Sequence, residues 1–303
     1  MNPTITNSAS KIIGNSFNEL FANVKSHDDY ALVYETVNQL KSLCDQNVLK
    51  EEDIHNYLRE KDPEFIERTR IGHSLAKPYG YAGDFFIINQ IYEEHTTEVP
   101  SYKIWDKFFQ SLDSCDAVRN RRIYLTDLIN TLFNGQQEFH LLNLASGPAR
   151  DLNDVYQQIA DSDQIHTTCV DMDPDAIKFG QKITADYSNR IKFIKKNIFR
   201  FQTEEKYDLI WSAGLFDYFD DATFVRILKR MKTWMKPGGQ IVVGNFNETY
   251  NPSRAVMELL GDWYLNHRTE LQLTNIAVEA GFSRAAISVG REEQNVNLFL
   301  HMR

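Results

Sequence analysis

Cysteine is scarce in this chain of 303 residues, and Cys44, Cys115 and Cys169 lie far apart. An odd number at such spacing excludes a disulfide framework and a CxxC metal site, leaving free thiols in a reducing cytoplasm as the expectation. Long apolar runs are also missing. No stretch of 18 apolar residues occurs, so no membrane-spanning helix is expected. Met1 to Ser10 carry no charge, unlike a signal peptide with its basic start and apolar core, which again points to a cytoplasmic protein. Basic residues are in deficit: 33 Lys and Arg stand against 42 Asp and Glu, for a formal net charge of -9. That balance argues against a general nucleic-acid binder. No cluster of His and carboxylates at ligand spacing is present, so no metal is expected. Neither repeats nor low-complexity tracts occur.

Helix patterning fills roughly the first 130 residues, where apolar positions recur every three or four. The predicted helices are Lys11 to Val24, Asp28 to Cys44, Glu51 to Arg59, Phe85 to Glu94, and Tyr102 to Phe133 with a break near Asp113. Between them lies Lys77-Pro78-Tyr79-Gly80-Tyr81-Ala82-Gly83-Asp84, rich in turn formers and aromatics. From residue 138 short β-rich runs alternate with helical stretches, at 138–145, 165–172, 190–197, 207–214 and 238–246. Such alternation implies a parallel sheet covered by helices on both faces. Asp221 to Met235 shows a helical core face, and Lys236-Pro237-Gly238-Gly239 ends it and turns into the next strand. Two more strands, 285–291 and 296–302, are joined by so few residues that they must pair antiparallel. The division expected is a helical region, 1–114, followed by a sheet domain, 115–303.

The densest signal is Phe139 to Asp151. An apolar strand enters a turn of small residues, Ala145-Ser146-Gly147-Pro148-Ala149, and a helix follows at once. About 20 residues on, a second strand ends in Asp171-Met172-Asp173-Pro174. Small residues let the backbone approach a ligand, and a carboxylate at the next strand end accepts hydrogen bonds from ribose hydroxyls. Asp173 before Pro174 suits a helix N-cap, which frees Asp171 for the ribose. A dinucleotide fingerprint would need a small residue at Arg150, so a nicotinamide cofactor is not expected.

Five parallel strands closed by an antiparallel hairpin, with these motifs, resemble the class I S-adenosylmethionine-dependent methyltransferases. The resemblance covers about residues 115–303 and implies a Rossmann-like sheet of order 3-2-1-4-5-7-6, with S-adenosyl-L-methionine as cofactor. It implies further that Asn143, Ala145, Ser146 and Gly147 approach the methionine portion and that Asp171 holds the ribose. Met172 would lie on the adenine, Asn197 and Ile198 at its edge, and Ser212 and Ala213 beside the reactive methyl. One of Arg119, Arg121 and Arg122, on the helix before the sheet, would pair with the cofactor's carboxylate, with Arg119 the first candidate. The usual GxGxG carries one glycine here; alanine fits such a turn where its φ is negative. Ser212-Ala213-Gly214-Leu215 replaces the (N/D)PP(Y/F) of adenine and glutamine amino methylators. Residues 77–84 with Asp262-Trp263-Tyr264-Leu265-Asn266-His267-Arg268-Thr269 resemble, more loosely, a bacterial small-molecule subgroup that includes 3-hydroxypalmitate methyl ester synthases.

Tyr79, Tyr81 and Asp84 are candidates for a lid that favours the sulfonium, since cations prefer aromatic faces and carboxylates. Tyr218 and Asn245 follow the fourth and fifth strands, where ligands gather in parallel sheets, as does Tyr250. His267 and Arg268 are expected as a surface pair on an amphipathic helix whose Trp263, Tyr264 and Leu271 pack. The activity expected is methyl transfer to an oxygen or nitrogen of a small molecule, by a monomer or homodimer. A carboxylate acceptor would need no base, whereas an amine or phenol would. Two alternatives stay open: a cyclase or lyase that releases methylthioadenosine, as in azetidine-2-carboxylate formation, and an inactive binding protein.

Overall fold

The computed structural model describes residues 3–133, 138–159 and 162–303, and the chain divides into two compact units. One comprises Met1–Cys115 and Pro252–Tyr264, the other Asp116–Asn251 and Leu265–Arg303. The first begins with α1 (Pro3–Asn23), α2 (Tyr30–Asp45), α3 (Glu51–Lys61), α4 (Pro63–Arg68), α5 (Arg70–Ala76), α6 (Phe85–Tyr92) and α7 (Lys103–Gln110). Sequence periodicity misses α4 and α5, which are too short to display a repeating face. Their caps define them instead. Asp62 accepts from Phe65 N–H ahead of Pro63, and Thr69 Oγ1 accepts from Gly72 N–H at 2.9 Å.

The second unit holds nearly all of α8 (Asp113–Phe133), and the break expected near Asp113 is the gap between α7 and α8. Next come β1 (Phe139–Leu144), α9 (Arg150–Gln158), β2 (Ile165–Asp171), α10 (Pro174–Ile183), β3 (Ile191–Lys195), β4 (Tyr207–Ser212), α11 (Asp221–Trp234) and β5 (Met235–Phe246). After α12 (Arg254–Gly261), which belongs to the first unit, follow α13 (Glu270–Glu279), β6 (Ile287–Arg291) and β7 (Asn297–Met302). The seven strands form one sheet in the order β3-β2-β1-β4-β5-β7-β6. β1 to β5 pair parallel, while β7 runs antiparallel to both β5 and β6.

Two apolar cores explain the two covered faces. Leu141, Cys169, Leu209 and Trp211 pack under Leu125 and Ile129 of α8 and Leu152 and Val155 of α9. On the other face Leu142, Leu144, Ile210 and Val243 pack under α11 and α13. Neighbours in register share a face, so strands buried on both sides read as nearly unbroken apolar runs. The order reverses between β1 and β4, which opens a crevice beyond their carboxyl ends.

One expectation fails here. Residues 262–268 are not helical, because Asp262 takes φ 48° and ends α12. The chain then runs without helix or strand until Arg268, which is bridged to Asn247. His267 and Arg268 are buried rather than a surface pair, and Leu271 is exposed rather than packed. Arg268 is drawn inward by acceptors. It donates to Asn245 Oδ1 at 2.7 Å and to Phe216 O, and pairs with Asp221. Such a cluster of carbonyls outweighs the periodicity that suggested a helix.

Candidate active site

The turn between β1 and α9 is left-handed at alternate residues, with φ near 50° at Ala145, Gly147 and Ala149. The expectation of negative φ at the two alanines is therefore not met. Alanine costs about 1–2 kcal/mol in this region, so the rest of the turn has to hold it there. Ala145 N–H bonds Val170 O at 2.8 Å, Ala149 N–H bonds Ser146 O at 3.0 Å, and the Ala149 methyl is fully buried against α10. Ala145 is exposed, so Ala145→Gly removes strain without opening a cavity. We expect a net gain of about 0.5–1 kcal/mol, after the larger backbone entropy of glycine is counted. A thermal melt of the variant that begins below wild type would contradict this.

Asp171 closes the turn. Its Oδ2 accepts Gly147 N–H at 2.8 Å and its Oδ1 accepts Asp173 N–H at 2.9 Å. Burial raises its pKa, and the backbone bonds from Asp173 and Gly147 pull the other way. Each oxygen retains a lone pair, so the carboxylate can still accept from a diol. Asp173 caps α10 through Asp175 N–H. Met172 is 64% exposed at the adjoining position, an apolar surface suited to a flat ring. Asn197 Nδ2 lies 3.8 Å from Met172 Sδ, while its Oδ1 caps the following turn at Phe199 N–H. Ile198 packs into the core.

Beneath the turn sits a polar cluster in an otherwise apolar face. Asn143 is level with Trp211 on one side and Cys169 on the other. Asn143 Nδ2, Trp211 Nε1, Ser146 Oγ and Arg121 Nε are buried and without hydrogen-bond partners. Trp211 Nε1 lies near the Asp151 carboxyl outside bonding geometry, and Ser146 Oγ lies by the Cys169 thiol in the same way. Each such atom costs about 1–3 kcal/mol unless a ligand or water completes it.

Arg121, rather than Arg119, brings a guanidinium to the end of β4, donating to Ala213 O at 3.0 Å. Arg119 pairs with Asp116 on its own helix at 2.5 Å. The Arg121 charge acts on two buried acids, Asp151 and Asp217, yet burial is the larger influence and pushes both up to about 6. Sequence reading offers Arg121 only as an alternative to Arg119 and passes over the two acids. The signal was present for Asp217, a lone acid set between Phe216 and Phe219 at a strand end. A carboxyl whose folded pKa exceeds its unfolded value binds more protons when folded. These two acids therefore stabilise the fold as pH falls from about 7 toward 4, and that contribution is lost as pH rises through about 6. We expect Asp217→Asn to flatten the gain between pH 7.5 and 5.5, read from urea midpoints. An unchanged gain would show that Asp217 keeps an ordinary pKa.

Other predicted residues are engaged in holding the structure. Asn245 is fully buried and donates to Phe246 O and Asn266 O, both at 2.9 Å, while accepting from Arg268. Ser212 Oγ donates to Leu144 O, tying β4 to β1. Tyr218 is 38% exposed on a short turn after β4, and Tyr250 is exposed after β5. In the helical unit, Tyr79 and Tyr81 are exposed, whereas Asp84 is completely buried. Asp84 caps α6 by accepting Ile87 N–H, and its other oxygen lies 2.8 Å from His73 Nε2.

Residues 136–281 match a family model described as a methyltransferase domain. Over this stretch the chain is similar to methyltransferase domains. The expectation of a transferase that uses S-adenosyl-L-methionine agrees with this match. Among solved structures, a possible exported protein from Bordetella parapertussis superposes with TM-score 0.62 at 17% identity, covering 77% of this chain and 85% of that one. A candidate O-methyltransferase from Nostoc punctiforme gives TM-score 0.52 at 16% identity, covering 79% and 71%. Magnesium protoporphyrin IX methyltransferase from Synechocystis, with bound SAH, gives TM-score 0.51 at 11% identity, covering 71% and 92%. At these identities the likeness shows the fold, a Rossmann-like sheet with its closing hairpin. No curated protein matches the chain. Among the described residues no helix is long and apolar enough to cross a membrane, and no group of His, Cys, Asp and Glu could hold a metal ion.

Proposed function

We propose that this methyltransferase domain binds S-adenosylmethionine in the crevice between β1 and β4 and methylates an oxygen or nitrogen of a small molecule. The observation that carries the reading is the Asp171 carboxylate, bonded to Gly147 N–H and Asp173 N–H with acceptor capacity to spare. Asp171 would accept from the ribose hydroxyls, and Met172 and Asn197 would border the adenine. The unpartnered donors of Arg121, Asn143 and Trp211 suit the carboxylate of the cofactor's amino-acid end. When bound, the cofactor supplies an electrophilic methyl on a sulfonium. The chain's own work is then alignment and exclusion of water, since in-line displacement gains most from both.

Lys77 of the first subgroup motif pairs with Asp262 of the second at 2.7 Å. That link within the helical unit supports the looser likeness to the 3-hydroxypalmitate methyl ester synthases, in which a fatty carboxylate would be the acceptor. Calorimetric titration with S-adenosylhomocysteine tests the cofactor reading: micromolar binding is expected, and no binding would return the domain to a scaffold role.

A further inference from the structure

We infer that Asp151 and Arg121 are held apart as a matched pair for the zwitterionic amino-acid end of S-adenosylmethionine, Asp151 receiving the ammonium and Arg121 the carboxylate. The pairing rests on the cofactor-binding reading above and extends it to the ammonium, and to a proton exchanged on binding. Every group involved belongs to the sheet unit.

Two opposite charges buried within reach of each other normally close into an ion pair, because an unpaired buried charge is costly. These two do not. Arg121 is 5% exposed and Asp151 7%, and the charge of the first acts on the second, yet no ion pair joins them among the described residues. Arg121 instead donates Nη1–H to Ala213 O at 3.0 Å and leaves Nε bare. Gly214 makes room for this: a methyl there would meet Arg121 Nη1 at 2.8 Å and push the guanidinium aside. Asp151 accepts Leu152 N–H on Oδ1 at 2.9 Å, but the N-cap of α9 is Ala149, so capping does not account for the acid. Asn143 Nδ2 and Trp211 Nε1 add two more bare donors to the cluster. A carboxylate would satisfy the donors, yet alone it would be repelled by Asp151. A zwitterion suits both signs of charge at once.

Burial pushes Asp151 up to about 6, so at pH 6 the empty site carries about half a proton. The groups that bear on it are Arg121 of α8, Trp211 of β4, the Cys169 thiol of β2, which burial keeps protonated, and Asp154 of its own helix, paired with Arg122 at 3.2 Å. An ammonium placed at Asp151 favours the carboxylate and expels the proton. The release fades as pH rises toward 7.5, where the acid is already ionised. At pH 6 the ligand's own ammonium and carboxylate are both charged and exchange nothing.

The test is calorimetric titration of the full chain at pH 6 in buffers of different ionisation heat, which counts protons. S-adenosylhomocysteine is compared with methylthioadenosine, which keeps the nucleoside and the thioether and lacks the amino-acid end. Asp171, assigned to the ribose, contributes equally to both ligands. S-adenosylhomocysteine is expected to release about half a proton more than methylthioadenosine, a difference that fades at pH 7.5. Asp151→Asn should lose that difference and bind S-adenosylhomocysteine about 10- to 100-fold more weakly, with its affinity for methylthioadenosine unchanged. Asp217→Asn, which removes the other acid coupled to Arg121, should keep the difference. Proton uptake, equal exchange with the two ligands, or a release that follows Asp217 rather than Asp151 overturns the pairing and leaves cofactor binding standing. Should the Asp151 variant not fold, the wild-type and Asp217→Asn titrations decide. If neither ligand binds, the cofactor reading fails and the pairing with it.

Discussion

Asp171→Ala is expected to weaken S-adenosylmethionine binding by about 1–3 kcal/mol, roughly fivefold to 150-fold in dissociation constant. Two losses combine in that figure. The ribose hydroxyls lose a charged acceptor, and the turn loses the clamp that holds Gly147 and Asp173 to the end of β2. The second loss matters because Ala145 and Ala149 sit in a conformation that alanine does not choose unaided. Asparagine is no rescue, since its amide nitrogen would face one of the two N–H groups. Calorimetry on the alanine variant reads the effect directly. Wild-type affinity would place the nucleoside somewhere other than the β1–β2 edge.

Arg121→Met should be the most destabilising substitution in the sheet unit, by about 3–5 kcal/mol at pH 8. The guanidinium is a positive charge acting on both Asp151 and Asp217, and removing it leaves buried Asp151 without compensation and Asp217 with Arg268 alone. Both pKa values already stand at about 6 and should rise further without the arginine. Once the acids are protonated the uncompensated charge vanishes, so the penalty should shrink markedly at pH 5. Urea unfolding of both proteins at the two pH values separates charge from packing. An equal penalty at pH 8 and pH 5 would mean that Arg121 acts through its packing and its bond to Ala213 O.

The sheet was legible because its signals are local and redundant. Apolar strands and N-caps such as Asp173 agree with one another, and the order of strands followed the resemblance, while Lys236 to Gly239, read as a turn, lies within β5 beside a register shift. Asp171 could be picked out because a second acid two residues on accounts for the helix cap. What stayed hidden depends on contacts between distant residues. Arg121 and Arg119 are indistinguishable on a helix until the end of β4 supplies a carbonyl for one of them. Asn245 looked catalytic by position, yet Arg268 and two backbone carbonyls occupy its amide. Arg268 itself was read as a surface residue because nothing nearby in sequence announces the acceptors that bury it. The short helices α4 and α5, and with them the placement of His73 against Asp84, depend on caps rather than on periodicity.

The central claim is that this fold delivers a methyl group rather than breaking its cofactor apart. Incubating the purified chain with S-adenosylmethionine alone, and resolving the nucleosides by mass, tests that most directly. The account predicts cofactor that is bound and intact, converted to S-adenosylhomocysteine only when an acceptor is added. Rapid release of methylthioadenosine without any acceptor would contradict it and make the protein a cyclase or lyase.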